Sequence, residues 1–239
     1  AERRTRPVEG SMAIGITPPS LDLLDDLDLG NRFRSEGILI RRARVYENRI
    51  ERGVLDFRPS ENEILSLPQA GTLRILRERL QQFPSVTFRF GEAFPGPEGR
   101  CPWIIACDGA GSELRRESGI PFRTKFYGFR FIMADFPDDE HLGPDARLYF
   151  TPDGAVESFP LPGEKRRWIA QLLSGKSSDP DTLIERVYDA AGIDLSGRDH
   201  TPLWPFEPRR GLAHTYFKDR VILTERPKLL FEGMVIAAY

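Results

Sequence analysis

Residues 103–116 read WIIACDGAGSELRR, an apolar run that stops on Asp108-Gly109 and continues into Ser112 and Arg115 at short, fixed spacings. Trp103 to Ala106 is wholly apolar, as is the later run Val221 to Leu223, and both are expected to be parallel strands covered on both faces. A buried parallel strand delivers the residues after its carboxyl end into the crevice where α/β sheets bind ligands. Asp108 and Gly109 occupy that point. Gly109 lets the backbone turn sharply and approach a ligand closely. Ser112 is placed to cap a helix beginning at Glu113, whose N–H groups can receive an anion such as a pyrophosphate. Asp108 then accepts hydrogen bonds from ligand hydroxyls or from backbone donors. The same residues also suit a plain strand–turn–helix connection in which Asp-Gly only makes the turn.

Outward from this stretch the pattern is mixed. Ser20 to Leu29 has leucines at helical spacing behind Pro18-Pro19, with Ser20 as the expected cap. Gly37 to Tyr46 and Gly53 to Phe57 alternate apolar and polar residues and read as strands. Thr72 to Phe83 reads as a helix with Leu73, Leu76, Leu80 and Phe83 on one face, and PSVTFRF after it as a strand. Phe126 to Phe136, Arg147 to Phe150, Ala155 to Phe159 and Arg167 to Leu172 are aromatic-rich. The turns Pro152-Asp153-Gly154 and Pro162-Gly163 make this block an antiparallel meander. Asp181 to Ala191 is a helix ended by Gly192, and Arg220 to Thr224 is a buried strand. Helix–strand alternation, then antiparallel strands, then a buried strand predict an α/β fold: a parallel sheet interrupted by an antiparallel domain.

Composition bounds the function. The chain has 239 residues, enough for one large domain or two small ones, with 40% apolar and 29% charged residues. A net charge of −2, with both signs interspersed, gives no electrostatic footprint for nucleic acid. No apolar run approaches the roughly 20 residues of a membrane span, so no stable membrane association is expected. Cys101 and Cys107 are too few for a disulfide scaffold, and both are expected to be buried packing residues. His141, His200 and His214 are scattered, so neither a metal site nor a catalytic triad is expected. A reducing cytoplasm is the expected compartment. The opening AERRTRPVEG has no apolar core for a secretory signal, has no Met, and begins in mid-motif.

WIIACDGAGSELRRESGI resembles the Asp-Gly fingerprint of the FAD-dependent aromatic hydroxylases, the para-hydroxybenzoate hydroxylase-like single-component flavoprotein monooxygenases. The matching positions are Asp108, Gly109, Ser112 and Arg115, with Gly119-Ile120 after them. The resemblance implies that this segment lies against the FAD pyrophosphate and affects NAD(P)H binding. It implies that Glu2, with Arg3 beside it, is the acid at the end of a Rossmann strand that holds the adenosine ribose. Gln69, in LPQAGTLRILRERL, matches a helix-start glutamine on the flavin side. Glu232-Gly233-Met234 resembles the end of the second flavin motif, so Gly233 and Met234 are expected to face the isoalloxazine. The meander resembles the substrate sheet. Its expected cavity residues are Phe129, Phe131, Tyr149, Phe159 and Pro160, with Phe159-Pro160 beneath the flavin ring and one face of the sheet turned to a cavity. Each aromatic there also suits an ordinary sheet core.

The fold implied is a Rossmann-like FAD-binding parallel sheet, incomplete, with an inserted antiparallel substrate domain. The FAD-binding domain is expected over 1–122, with a substrate-domain excursion near 37–68. The substrate sheet is expected over 123–210, and 211–239 returns to the first domain. The function implied is hydroxylation of an aromatic or other electron-rich small organic molecule, with FAD as cofactor and NAD(P)H and O2 as co-substrates. A related flavoprotein (halogenase or reductase) and a cofactor-less remnant acting as a binding module are the alternatives. The pattern departs from the family in lacking Gly-x-Gly-x-x-Gly and the Gly-Asp aspartate. It also shortens between Phe90 and Arg100 and between Thr224 and Gly233, and no C-terminal helix comes after Tyr239. The sequence is therefore expected to be part of a larger protein, or a remnant that has lost the cofactor site.

Overall fold

The computed structural model describes residues 2–6, 12–57, 64–94, 102–109 and 111–224. In chain order the first elements are β1 (Gly15–Ile16), α1 (Pro18–Asp26), α2 (Gly30–Glu36), β2 (Ile38–Ile40), β3 (Arg42–Glu47), β4 (Ile50–Asp56) and β5 (Ile64–Ser66). Then come α3 (Gln69–Leu80), β6 (Ile104–Ala106), α4 (Glu113–Glu117), β7 (Phe122–Phe126) and β8 (Arg130–Pro137). The rest are β9 (Ala146–Thr151), β10 (Gly154–Leu161), β11 (Lys165–Leu172), α5 (Pro180–Ala191), β12 (Trp204–Phe206), β13 (Arg209–Ala213), β14 (Phe217–Lys218) and β15 (Val221–Leu223). The fold is mixed α/β with several sheets, in two compact units. The first unit contains the described residues of Ala1–Val8, Pro84–Gly128 and Glu207–Phe231; the second contains those of Glu9–Phe83 and Phe129–Phe206. The whole stretch from α1 to α3 thus lies in the second unit, and not only the excursion near 37–68.

In the second unit a seven-stranded sheet has the order β12-β8-β11-β10-β9-β3-β4. β9, β10 and β11 are joined by the expected turns, where Gly154 (φ 102°) and Gly163 (φ 78°) take backbone conformations that side chains resist. β8 does not pair with its sequence neighbour β9; it lies on the far side of β11. β3 joins the other edge parallel to β9, and the two-residue turn Asn48-Arg49, both at positive φ, brings back β4. Arg49 also donates to the carbonyls of Tyr188 and Asp189 at 2.7 and 3.1 Å, placing a cation on the last turn of α5.

Helix α5 has its causes in the local sequence. Asp179 accepts from the Thr182 N–H at 2.7 Å, Pro180 occupies the first turn, and Gly192 closes the helix at φ 75°. Leu183, Val187 and Ala190, spaced for one face, are fully buried against Val156, Tyr149 and Trp168 of the large sheet. The opposite face, carrying Phe131, Met133, Leu148, Phe159, Leu161 and Ile169, is covered by Ile14, Ile40 and Ile64. Both faces of the sheet are therefore packed, in contrast to the expectation that one looks onto a cavity. Leu21, Leu24, Phe33, Leu65, Leu67 and Ile75 form a separate core under α1–α3.

Several boundaries differ from expectation. α1 begins at Pro18 with Thr17 as its cap position, so Ser20 is inside the helix. The sequence pattern does not announce α2; at its first residue, Gly30, a Cβ would displace the Asp25 carboxylate from Arg34. Gly37 to Tyr46 is two strands in two sheets, broken at Arg41. Phe126 to Phe136 breaks at Gly128 (φ 76°), so β7 pairs with β13 and β8 with β11. PSVTFRF makes only an isolated parallel bridge, Glu2 to Phe90. On α3 the buried residue is Ile75, while Leu73 and Leu80 of the expected face, and Phe83 beyond the helix end, are exposed.

In the first unit β6 and β15 pair in parallel, with Ile104 opposite Val221 and Ala106 opposite Leu223. Parallel pairing agrees with the expectation, but burial on both faces does not: Ile105 is 62% and Trp103 60% exposed. The buried face carries Ile104, Ala106, Val221 and Leu223 against Ile120 and Ala213.

Candidate functional site

The carboxyl end of β6 runs into Asp108-Gly109, and Gly109 takes φ 80°, which a side chain would resist. The Asp108 carboxylate accepts from the Ser112 hydroxyl and from the N–H groups of Glu113 (2.8 Å) and Leu114 (3.1 Å). Ser112, 4% exposed, in turn accepts from the Arg115 N–H at 3.0 Å. Ser112 is thus the cap expected of it, and Asp108 is bound by backbone donors. The consequence corrects one expectation. The amides of Glu113, Leu114 and Arg115 are committed to the chain's own side chains, so the start of this five-residue helix does not offer them to a pyrophosphate.

Arg115 is buried and lies over the Phe122 ring, 4.1 Å from its centroid. Ala106, Ser112, Arg115, Phe122, Ala213 and Leu223 line a small cleft at this point. The ends of the parallel pair are tied together as well: Thr224 donates from its hydroxyl to Ala106 O at 3.2 Å, and Cys107 Sγ lies 3.1 Å from that hydroxyl. Cys107 is exposed, not buried as expected, and Cys101 lies outside the described residues.

Glu2 and Arg3 come to the same place. The Glu2 N–H donates to Arg89 O at 2.8 Å, and its carboxylate accepts from the Arg4 N–H at 2.9 Å. Arg3 forms an ion pair with Glu113, the residue whose amide Asp108 holds. Glu2, Arg3, Asp108, Gly109 and Ser112 are therefore gathered around the start of α4. Glu2 sits in a single bridge, not at the end of a strand.

The remaining expected residues belong to the second unit. Gln69 is the first residue of α3 and accepts from the Met12 N–H at 3.3 Å. The carbonyl of the same Met12 accepts from Arg167 at 2.7 Å, and Arg167 pairs with Asp135 through two bonds of 2.6 and 2.9 Å. Ser66 donates to Pro160 O at 2.6 Å. Phe131 and Phe159 share the face away from α5, where Phe131 stacks on Phe206 at 5.3 Å. Tyr149 does not join them: it faces α5 and stacks on Tyr46 at 4.8 Å. Phe129 is exposed at the break after Gly128. Gly233 and Met234 lie outside the described residues.

Sequence reasoning missed Glu157, Asp135 and Arg167. The available signal was a charged residue in a strand position whose period places it with core residues. Glu157 shares its face with Phe159 and Leu161, is 3% exposed, and burial pushes its carboxyl up to about 8. Among the described residues there is no cluster of metal-ligating side chains.

No family model matches the chain. A 12-dehydrotetracycline 5-monooxygenase/anhydrotetracycline 6-monooxygenase from Streptomyces rimosus is 27% identical over 232 residues, covering 83% of this chain and 45% of that protein. Among solved structures, the p-nitrophenol 4-monooxygenase PnpA of Pseudomonas putida superposes with a TM-score of 0.80 at 18% identity, covering 93% of this chain and 64% of that one. Aklavinone-11 hydroxylase, in a ternary complex with FAD and aklavinone, superposes with a TM-score of 0.75 at 16% identity, covering 93% of this chain and 51% of that one. The resemblance to the FAD-dependent aromatic hydroxylases is borne out, and the chain spans about half the length, 45%, of the Streptomyces rimosus monooxygenase it matches.

Proposed function

We propose that this chain carries part of an FAD-dependent monooxygenase that uses NAD(P)H and O2 to hydroxylate an aromatic or other electron-rich organic substrate. The observation that carries the reading is the parallel β6–β15 pair ending in the capped Asp108-Gly109 turn, with Glu2 and Arg3 brought beside it. In this reading the first unit is the Rossmann-like FAD-binding domain and the second unit the substrate domain. Similarity to hydroxylases of phenolic and polyketide rings supports an aromatic substrate.

FAD, when bound, supplies the redox chemistry that couples NAD(P)H and O2 to ring hydroxylation. The chain's residues hold and orient. Glu2 accepts from ribose hydroxyls with the carboxylate oxygen its own Arg4 amide does not use, and Arg3 supplies positive charge for the diphosphate. The Asp108-Gly109 turn shapes the backbone there, held rigid by the bonds from Asp108 and Ser112 to α4. Gln69 keeps its assignment to the flavin on the family pattern alone. Phe131 and Phe159 stiffen the substrate-domain sheet from inside its core, under Ile14, Ile40 and Ile64.

The test is titration of the full chain with FAD, monitored by flavin fluorescence, and then NAD(P)H oxidation with phenolic and polyketide substrates. Saturable FAD binding together with oxidation stimulated by a phenolic substrate supports the reading. Absence of FAD binding by the folded chain overturns it and leaves a binding module.

A further inference from the structure

The ribbon of β7 and β13 carries Arg123, Lys125, Arg209 and Arg210 and no carboxylate, in a chain whose net charge is −2. Its two faces differ. On the inner face Phe122 and Ala213 line the cleft beside Ser112 and Arg115. Side chains alternate across a strand, so Arg123, Lys125, Arg210 and Leu212 form the outer face, and all four are exposed. Lys125 stands directly across from Arg210, and Arg123 across from Leu212. Like charges directly opposite one another weaken a strand pair. Elsewhere exposed cations lie beside acids, as Arg34 does with Asp25, Arg52 with Glu47 and Lys176 with Glu185. Among the described residues the side chains of Arg123, Lys125 and Arg210 form no ion pair or hydrogen bond. A bound dianion both offsets the repulsion and satisfies these donors.

We propose that this outer face seats a phosphate group of the nicotinamide co-substrate, with Arg210 and Lys125 gripping the 2′-phosphate that distinguishes NADPH from NADH. This inference rests on the monooxygenase reading above. Three cations at neighbouring positions on one face suit a phosphate dianion: each guanidinium fork bonds two oxygens at once, and the ammonium adds a point charge. Leu212 sets an apolar surface beside them for the adenosine. The diphosphate of FAD already has Arg3, so the nicotinamide nucleotide is the phosphate-bearing reactant left for this face. The two strands of the ribbon are only about 5 Å apart. A dinucleotide anchored on the outer face therefore extends past the ribbon edge toward the site that Asp108 shapes.

The test is calorimetric titration of the FAD-loaded full chain with two probes that differ only in one phosphate, adenosine 2′,5′-bisphosphate and adenosine 5′-monophosphate. The wild type is expected to prefer the bisphosphate by tenfold or more, and the preference should shrink as salt is raised, as for any exposed charge pair. Lys125→Gln/Arg210→Gln should erase the preference with FAD affinity unchanged. Its melting temperature should not fall, because a like-charge pair is gone, so the loss is not one of folding. Lys176→Gln, which removes an equal charge from the surface elsewhere, should keep the preference. A wild type that binds both probes equally, or a Lys125→Gln/Arg210→Gln protein that keeps the preference, overturns the inference while the FAD reading stands. So does a chain that ignores the bisphosphate but sediments with phosphatidylserine vesicles, since the face is then a membrane surface. A wild type that binds no FAD overturns the function and this assignment with it.

Discussion

Asp108 and Ser112 secure the start of α4 together: the serine hydroxyl donates to the aspartate, the aspartate takes the next two amides, and the serine oxygen takes the third. Four groups of one turn are satisfied within the chain. The first role of the Asp-Gly motif in this protein is therefore to hold the end of a parallel strand and the start of a helix in one geometry. Asp108→Ala should cost about 0.5–2 kcal/mol, the usual range for a lost cap, together with a fall of tenfold or more in FAD affinity. Asp108→Asn, which keeps an acceptor oxygen, should recover most of the stability. Denaturant melts and FAD titrations of both variants check this; an Asp108→Ala protein with unchanged melts and unchanged FAD affinity would contradict both roles.

Glu157 sets a pH dependence whose sign is opposite to that of an ion-paired acid. Its carboxyl titrates near 4.5 when unfolded and is raised to about 8 when buried, so the folded state holds the proton over a range where the unfolded state has lost it. Its contribution to stability is fully present below about 4.5 and is lost as pH rises toward 8. Relative to Glu157→Gln, the wild type should lose up to about 1.4 kcal/mol per pH unit across that window. Chemical denaturation of both proteins at pH 5, 6, 7 and 8 gives the difference. A difference that stays flat would mean the carboxyl finds a partner in solution.

Gly211 is bound to the site by shape. A Cβ at this position would meet the Phe122 ring at 2.2 Å, and that ring lies against the buried Arg115 beside Ser112. Gly211→Ala must push the ring off Arg115 or spread β13 from β7. A cost of about 1–3 kcal/mol is expected from such overpacking. Relief in the double variant Gly211→Ala/Phe122→Leu, measured by thermal melts, would identify the ring as the cause.

Much of the second unit was legible because its signals are local. Asp179, Pro180 and Gly192 fix the ends of α5, and Pro152-Asp153-Gly154 and Pro162-Gly163 fix the hairpins of β9–β11. The placement of β8 beside β11 was not legible, since it is set by packing between residues far apart in the chain, such as Ile132 and Ala170. The break at Arg41 had a signal that was passed over: Arg41-Arg42 interrupts the alternation and shifts the buried positions from Ile40 to Ala43, where β2 and β3 part into two sheets. At the site, Ser112 was legible as a cap because capping is a short-range rule. That Asp108 would take the amides expected to bind an anion depends on a turn geometry which a string of residues does not specify.

The Met12 peptide offers a last test, because two side chains hold it from opposite ends. Gln69 accepts from its N–H at 3.3 Å, and Arg167 donates to its carbonyl at 2.7 Å while paired with Asp135. Arg167 is 2% exposed, so Arg167→Met leaves the Asp135 carboxylate buried without its cation and should cost about 3–5 kcal/mol. Arg167→Met/Asp135→Leu, which removes both charges, should regain most of that loss. Gln69→Ala alone should cost about 0.5–1.5 kcal/mol, the net worth of an ordinary hydrogen bond. Because both residues fix one peptide group, their effects should not add. A double-mutant cycle of Gln69→Ala with Arg167→Met should show a coupling of at least about 0.5 kcal/mol. Additivity within error would mean that Met12 is held by its packing against the Phe131–Phe159 face and not by this clamp.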